Sequence, residues 1–101
     1  MIPALFLMSA DASADIAAGK RKAAQCVGCH GANGVAVNPD APNLAGESPL
    51  YIEKQLKAFR SGERKNEQMS LIAQGLSDED IRDLAEWYSA MTITVTVPKV
   101  P

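Results

Sequence analysis

The chain has 101 residues, 47% hydrophobic and 22% charged, a composition that fits one small globular domain. Its net charge of −2 excludes the strongly basic surface that nucleic acid demands, and no apolar run approaches the roughly 18 residues of a membrane-spanning helix. A core this small often needs a covalent or metal staple.

Residues 1–14 read as the end of an export signal. Ile2 to Met8 is a short apolar run, and Ala12-Ser13-Ala14 fits a small-x-small cleavage site ahead of Asp15. No Lys or Arg precedes that run, so a mature extension is the other reading. Asp15 suits a helix N-cap. Ile16, Gly19, Ala23 and Val27 recur at helical spacing, which predicts a helix to about Val27 with one narrow face. Gly19 and Ala23 keep that face small enough for another helix to approach closely. A mid-helix Gly costs about 1 kcal/mol against Ala, so packing is its expected reason. Lys20, Arg21 and Lys22 are expected to point outward.

Cys26-Val27-Gly28-Cys29-His30 holds both cysteines and the only histidine. C-x-x-C-H is the attachment pattern of c-type haem. Cysteines three apart on a helical turn share a face, so both sulfurs can bond the two vinyl groups of one porphyrin. The adjoining imidazole then falls under the iron, where haem takes its proximal ligand. Structural zinc takes four ligands, and one His with two Cys falls short. A thioredoxin-like dithiol belongs with a βαβ unit, and no strand-rich stretch precedes Cys26. One motif implies one haem, an apolar disc that would serve as the staple.

From Gly31 to Glu47 the chain is loop chemistry, with Gly31-Ala32-Asn33-Gly34 and Asn38-Pro39-Asp40-Ala41-Pro42-Asn43. About 17 structureless residues are unusual in a compact domain unless they wrap something, here one face of the haem. Ser48-Pro49 reads as N-cap and first helical position of a helix to about Arg60, stopping at Ser61-Gly62. Ile52, Leu56 and Phe59 form its apolar stripe, with Tyr51 alongside. A polar stretch, Glu63 to Gln68, leads to Met69, and a short apolar turn at Leu71-Ile72-Ala73 closes at Gly75. Ser77-Asp78-Glu79-Asp80 is a capping-box start with acids in the first turn. Ile81, Leu84, Ala85 and Tyr88 make the buried face of that helix, Trp87 and Met91 flank it, and the Gly19 face is its expected partner. Thr92 to Pro101 alternates β-branched residues with prolines and reads as extended chain.

The iron's far side can take Met, Lys, water or nothing. Met1 and Met8 lie in the leader and Met91 near a helix end. Met69 sits between a polar stretch and a short turn, with its backbone free to aim the thioether, and is the expected sixth ligand. A filled sixth position and the raised potential of Met/His ligation both favour reversible one-electron transfer over catalysis. Residues 15–65 carry eight basic and five acidic side chains, residues 66–101 two and six. That split is a charge dipole able to orient the molecule on a partner.

Three stretches in order, AAGKRKAAQCVGCHGANG, PNLAGESPLYIEKQLKAFRSGER and MSLIAQGLSDEDIRDLAEWYSAM, resemble a class I cytochrome c. The similarity covers about residues 15–91 and is to the small bacterial monohaem type related to the single domains of dihaem cytochromes c. It implies an all-α class I cytochrome c fold, about four helices around one covalently bound haem c, the first and last helices crossing at Gly19 and Ala23. It implies thioethers at Cys26 and Cys29 and axial ligands at His30 and Met69. It implies that the Pro42 carbonyl accepts the His30 ring N–H, and that Leu44, Tyr51 and Phe59 line the haem. Arg64 is implied near the propionates and Asn66 near the Met69 sulfur. The expected organisation is a signal remnant or extension at 1–14, a haem domain at 15–91 and an extended tail at 92–101.

The implied role is a soluble periplasmic electron carrier, not an enzyme, working among respiratory redox proteins. Its donor would be a membrane or soluble reductase, its acceptor an oxidase, peroxidase or reductase. Two other readings stay open: a haem subunit of a larger redox complex, and an open-site haem enzyme or gas sensor, for which no distal His or acid–base pair is present.

Overall fold

The computed structural model describes residues 14–101. Of the export-signal reading of residues 1–14, residues 1–13 lie outside the described residues. Among the described residues five α-helices follow one another: α1 (Ile16–Lys22), α2 (Val27–His30), α3 (Pro49–Ser61), α4 (Glu67–Gln74) and α5 (Asp78–Ser89). A 3-10 helix, Ala23–Gln25, joins α1 to α2. No strand occurs among the described residues, so the class is all-α. None of these helices is long and apolar enough to cross a membrane.

The expected first helix is split. Asp15 caps it through the Ala17 and Ala18 amides. Beyond Lys22, however, the winding tightens to 3-10. At about three residues per turn the positions drift round the axis, and Val27 emerges 39% exposed, not on the buried face. Ile16, at the other end, is 45% exposed. The buried face consists of Ala18, Gly19 and Ala23.

That face lies against α5, the most extensive helix–helix packing in the fold. A Cβ on Gly19 would collide with the Asp83 carbonyl oxygen and stand 2.7 Å from the Trp87 Cβ. Lys22 does not point outward as expected. Its Nζ lies 2.6 Å from Asp83 Oδ2 and 2.9 Å from Asp80 Oδ1. Asp83 is 2% exposed, and its Oδ1 accepts the Asp15 backbone N–H at 2.8 Å. A buried carboxylate without such partners would be costly. Lys20 stands over the Trp87 ring, 5.9 Å from its centroid.

Ser48 caps α3 at the Tyr51 amide, and Pro49 occupies the first turn. Ile52 and Phe59 are buried, and the helix ends at Gly62. Arg60 ties α3 to the start of α5, donating to the Leu76 carbonyl at 3.0 Å and to Asp78 Oδ1 at 2.5 Å. The short turn expected at Leu71-Ile72-Ala73 is instead the two-turn helix α4. Asn66 starts it: Oδ1 accepts the Gln68 and Met69 amides, while the Asn66 amide donates to Ser70 Oγ. The Ser77/Asp80 capping box on α5 forms in both directions at 3.0 Å. Ile81, Leu84, Ala85 and Tyr88 are buried with Ala23, Ile52 and Leu76. Residues 92–101 are exposed and have no regular structure.

Candidate haem site

The attachment motif is wound as the sequence spacing requires. The Cys26 carbonyl accepts the Cys29 and His30 amides at 3.4 and 2.9 Å, so the motif is one helical turn. Both cysteines are free and half-buried. They line one wall of a cavity of about 370 Å³, with His30 beside them.

The loop after His30 closes that wall. Gly31 leaves α2 at φ +80°, and a side chain there would strike the Val35 carbonyl. The chain then doubles back. The Val37 and Asn38 amides donate to the Cys29 carbonyl at 3.0 and 3.2 Å, and the Leu44 amide to the Gly34 carbonyl at 2.7 Å. This brings the Pro42 carbonyl oxygen to 2.8 Å from His30 Nδ1. A carbonyl only accepts, so Nδ1 carries the ring proton and Nε2 keeps its lone pair. His30 is 7% exposed.

The other walls come from α3, α4 and α5. Tyr51, Ile52, Leu56 and Phe59 face the cavity from α3, Met69 and Ile72 from α4, and Leu84 and Tyr88 from α5, with Leu44 and Leu76 between. Arg64 stacks on the Phe59 ring at 4.5 Å and donates to Gln55 Oε1 at 2.7 Å. Asn66 also lines the cavity, and its side-chain oxygen accepts the Met69 backbone N–H at 3.0 Å. Met69 is not on a free backbone as expected. It sits in the first turn of α4, half-buried.

All ten residues singled out from the sequence therefore border one cavity. Several others went unnoticed as site residues. Ile52, Leu56, Leu84 and Tyr88 were read as core, and they are core on one side and cavity wall on the other. Asn38, Ile72 and Leu76 had no signal of their own. The helical spacing of Tyr51, Gln55 and Phe59, and of Leu84 and Tyr88, was the available hint.

The donor set fits a haem. Among the described residues no group of three His, Cys, Asp or Glu side chains could hold a metal ion, so a protein-only metal centre is not available there. What the cavity offers is one imidazole with a free Nε2, two thiols beside it, a thioether and apolar walls. Burial pushes the Cys26 thiol pKa up, with Tyr88 opposing. Burial also pushes the Tyr88 phenol up, reinforced by Cys26.

The chain matches the Cytochrome c family over residues 16–91 and belongs to it. It is 49% identical over 79 residues to cytochrome c-554(548) of Halomonas halodenitrificans, covering 75% of this chain and 95% of that one. It is 38% identical over 86 residues to cytochrome c4 of Pseudomonas aeruginosa, covering 85% of this chain but 43% of the relative. The crystal structure of reduced recombinant cytochrome c4 from Pseudomonas stutzeri superimposes with a TM-score of 0.74 at 34% identity. That match covers 81% of this chain and 48% of the other. The chain thus spans nearly all of the first relative and less than half of cytochrome c4. Family membership carries the class I cytochrome c fold, a covalently bound haem c and electron transfer, and Cys26 and Cys29 fit the attachment pattern.

Proposed function

We propose that this chain is a one-electron carrier whose haem domain spans residues 15–91, with His30 and Met69 as axial ligands and thioethers at Cys26 and Cys29. The observation that carries the reading is an imidazole with a free Nε2 and a thioether sulfur bordering the same cavity, the two thiols beside the imidazole. When bound, the haem supplies an iron that takes up and gives back one electron. The chain's own residues do the rest. Pro42 holds the proton on Nδ1, so His30 presents Nε2 in one orientation. Met69 presents a neutral soft donor that raises the potential. Ile52, Leu56, Phe59, Ile72 and Leu84 exclude water and keep the dielectric low around the site.

If His30 and Met69 both held the iron, no open position would be left for a substrate, and the chain would make and break no substrate bond. Its partners are redox proteins, a reductase that donates and an oxidase, peroxidase or reductase that accepts. The charge split between residues 15–65 and 66–101 supports oriented docking on them. The Ala12-Ser13-Ala14 pattern supports a periplasmic location.

An optical spectrum of the purified protein, oxidised, then reduced, then with carbon monoxide, tests the proposal. Low-spin haem c with the weak red methionine–iron band, indifferent to carbon monoxide, is the expected result. A high-spin ferric spectrum with ready carbon monoxide binding would put an open-site enzyme or gas sensor in its place.

A further inference from the structure

Two polar side chains border the attachment cysteines. Tyr88 on α5 is 2% exposed, and its hydroxyl is the one buried side-chain oxygen or nitrogen among the described residues with no hydrogen-bond partner. A tyrosine hydroxyl at that depth is ordinarily bonded. Tyr88 and Cys26 border the same cavity, and Cys26 is the ionisable group that acts on the Tyr88 phenol.

On the other cysteine, Asn38 Nδ2 lies 3.9 Å from Cys29 Sγ. The amide has little choice of direction. Its Oδ1 accepts the Asp40 N–H at 2.9 Å, and the Asn38 backbone N–H is anchored to the Cys29 carbonyl at 3.2 Å. Only the NH2 end is left to point at sulfur.

The sulfur chemistry decides which way each bond runs. A thiol that joins a porphyrin becomes a thioether, which has no proton to give and keeps lone pairs that accept. Tyr88 O–H and Asn38 N–H are both donors. We infer that Tyr88 and Asn38 are positioning residues that donate one hydrogen bond to each thioether sulfur, Cys26 and Cys29 respectively, steadying the attachment bonds and drawing electron density from the haem edge. This rests on the reading of Cys26 and Cys29 as attachment residues. Hydrogen bonds that withdraw charge in this way favour the reduced state. The competing account makes Tyr88 a packing residue with an unsatisfied hydroxyl, and it predicts the opposite response to removing that oxygen.

The test uses the haem-loaded protein. Tyr88→Phe removes the hydroxyl alone, and Asn38→Ser removes Nδ2 while leaving an oxygen for the Asp40 amide. Each variant and the pair are followed by spectroelectrochemistry against a mediator and by thermal unfolding, with covalent haem content read from the mass. Each single variant is expected to keep its haem and visible spectrum. Each should shift the one-electron exchange constant about threefold toward the oxidised form, roughly 28 mV at 59 mV per tenfold. The double variant should show the sum, because the two residues grip different sulfurs. Tyr88→Phe should also lower the unfolding midpoint. A raised midpoint in Tyr88→Phe, or unchanged potentials in both variants, overturns the inference. A wild type without covalent haem overturns the site reading and this inference together, so the two failures are told apart before any variant is made.

Discussion

His30 is made single-purpose by its neighbours: the Pro42 carbonyl takes one ring nitrogen and leaves the other for metal. Under the proposed ligation Met69 would have the complementary task. Met69→Ala is expected to keep covalent haem, which mass spectrometry reads, but to lose the weak red band and to bind carbon monoxide when reduced. Loss of the haem itself would show that Met69 matters to folding before it matters to ligation. At this scale the motif was legible outright, because no structural need asks for Cys-x-x-Cys-His. Tyr88 and Asn38 were not. A tyrosine at helical spacing looks the same whether its hydroxyl meets solvent, core or a sulfur, and a loop asparagine next to proline reads only as a turn. Arg64 was singled out, yet its stacking on Phe59 depends on the chain reversal at Gly62, which places two sequence neighbours face to face.

The contact between α1 and α5 was readable in outline from Gly19, and it is the element most open to test. Gly19→Ala would force a methyl into the Asp83 carbonyl and the Trp87 side chain, and overpacking of this kind costs about 1–3 kcal/mol. Thermal unfolding of the haem-loaded variant should show a midpoint several degrees lower. The same pair of helices carries a pH dependence. Burial pushes the Asp83 carboxyl up, but the Asp15 amide and the Lys22 ammonium outweigh it and hold it below the usual value of about 3.9. The Ser77 amide and Lys22 hold Asp80 down as well. A folded value below the unfolded one gives stability that is whole above about pH 5 and lost as pH falls through the folded value. Lys22 is raised by the same two carboxylates, so it stays charged through that range and its share fades as they take up protons. Unfolding midpoints measured from pH 7 to pH 3 should therefore fall on the acid side. Asp83→Asn should lower the neutral midpoint and flatten that limb. Two elements were misread for physical reasons. The first helix tightens to 3-10 without any breaker residue to announce it. In α4 the first turn is Glu67-Gln68-Met69, so the starting signal was the cap residue Asn66 and not apolar periodicity. Asn66→Ala should cost about 1 kcal/mol and make Met69 leave the iron at a lower temperature, seen as earlier loss of the red band on heating.

For the whole molecule, the fold class followed from the resemblance carried by three short stretches, while the caps Asp15, Ser48 and Ser77 placed the starts of α1, α3 and α5. The shape of the loop between Gly31 and Ser48 did not, because it is held by bonds such as Leu44 to Gly34 that no local pattern encodes. Three helices, α3, α4 and α5, turn apolar side chains toward a cavity of about 370 Å³, and without the haem those walls lose their packing partner. Cys26→Ser with Cys29→Ser should yield a chain with weak near-ultraviolet dichroism and no cooperative thermal transition. The cavity is shut at the back by α5, the last helix, while the attachment cysteines stand near the front of the sequence. A polypeptide made amino end first thus offers Cys26 to His30 to whatever delivers the cofactor before Leu84, Tyr88 and the Lys22–Asp83 tie exist to enclose them. The order of residues thus puts the attachment motif ahead of the helix that covers it, and the cofactor itself supplies the surface on which that cover settles.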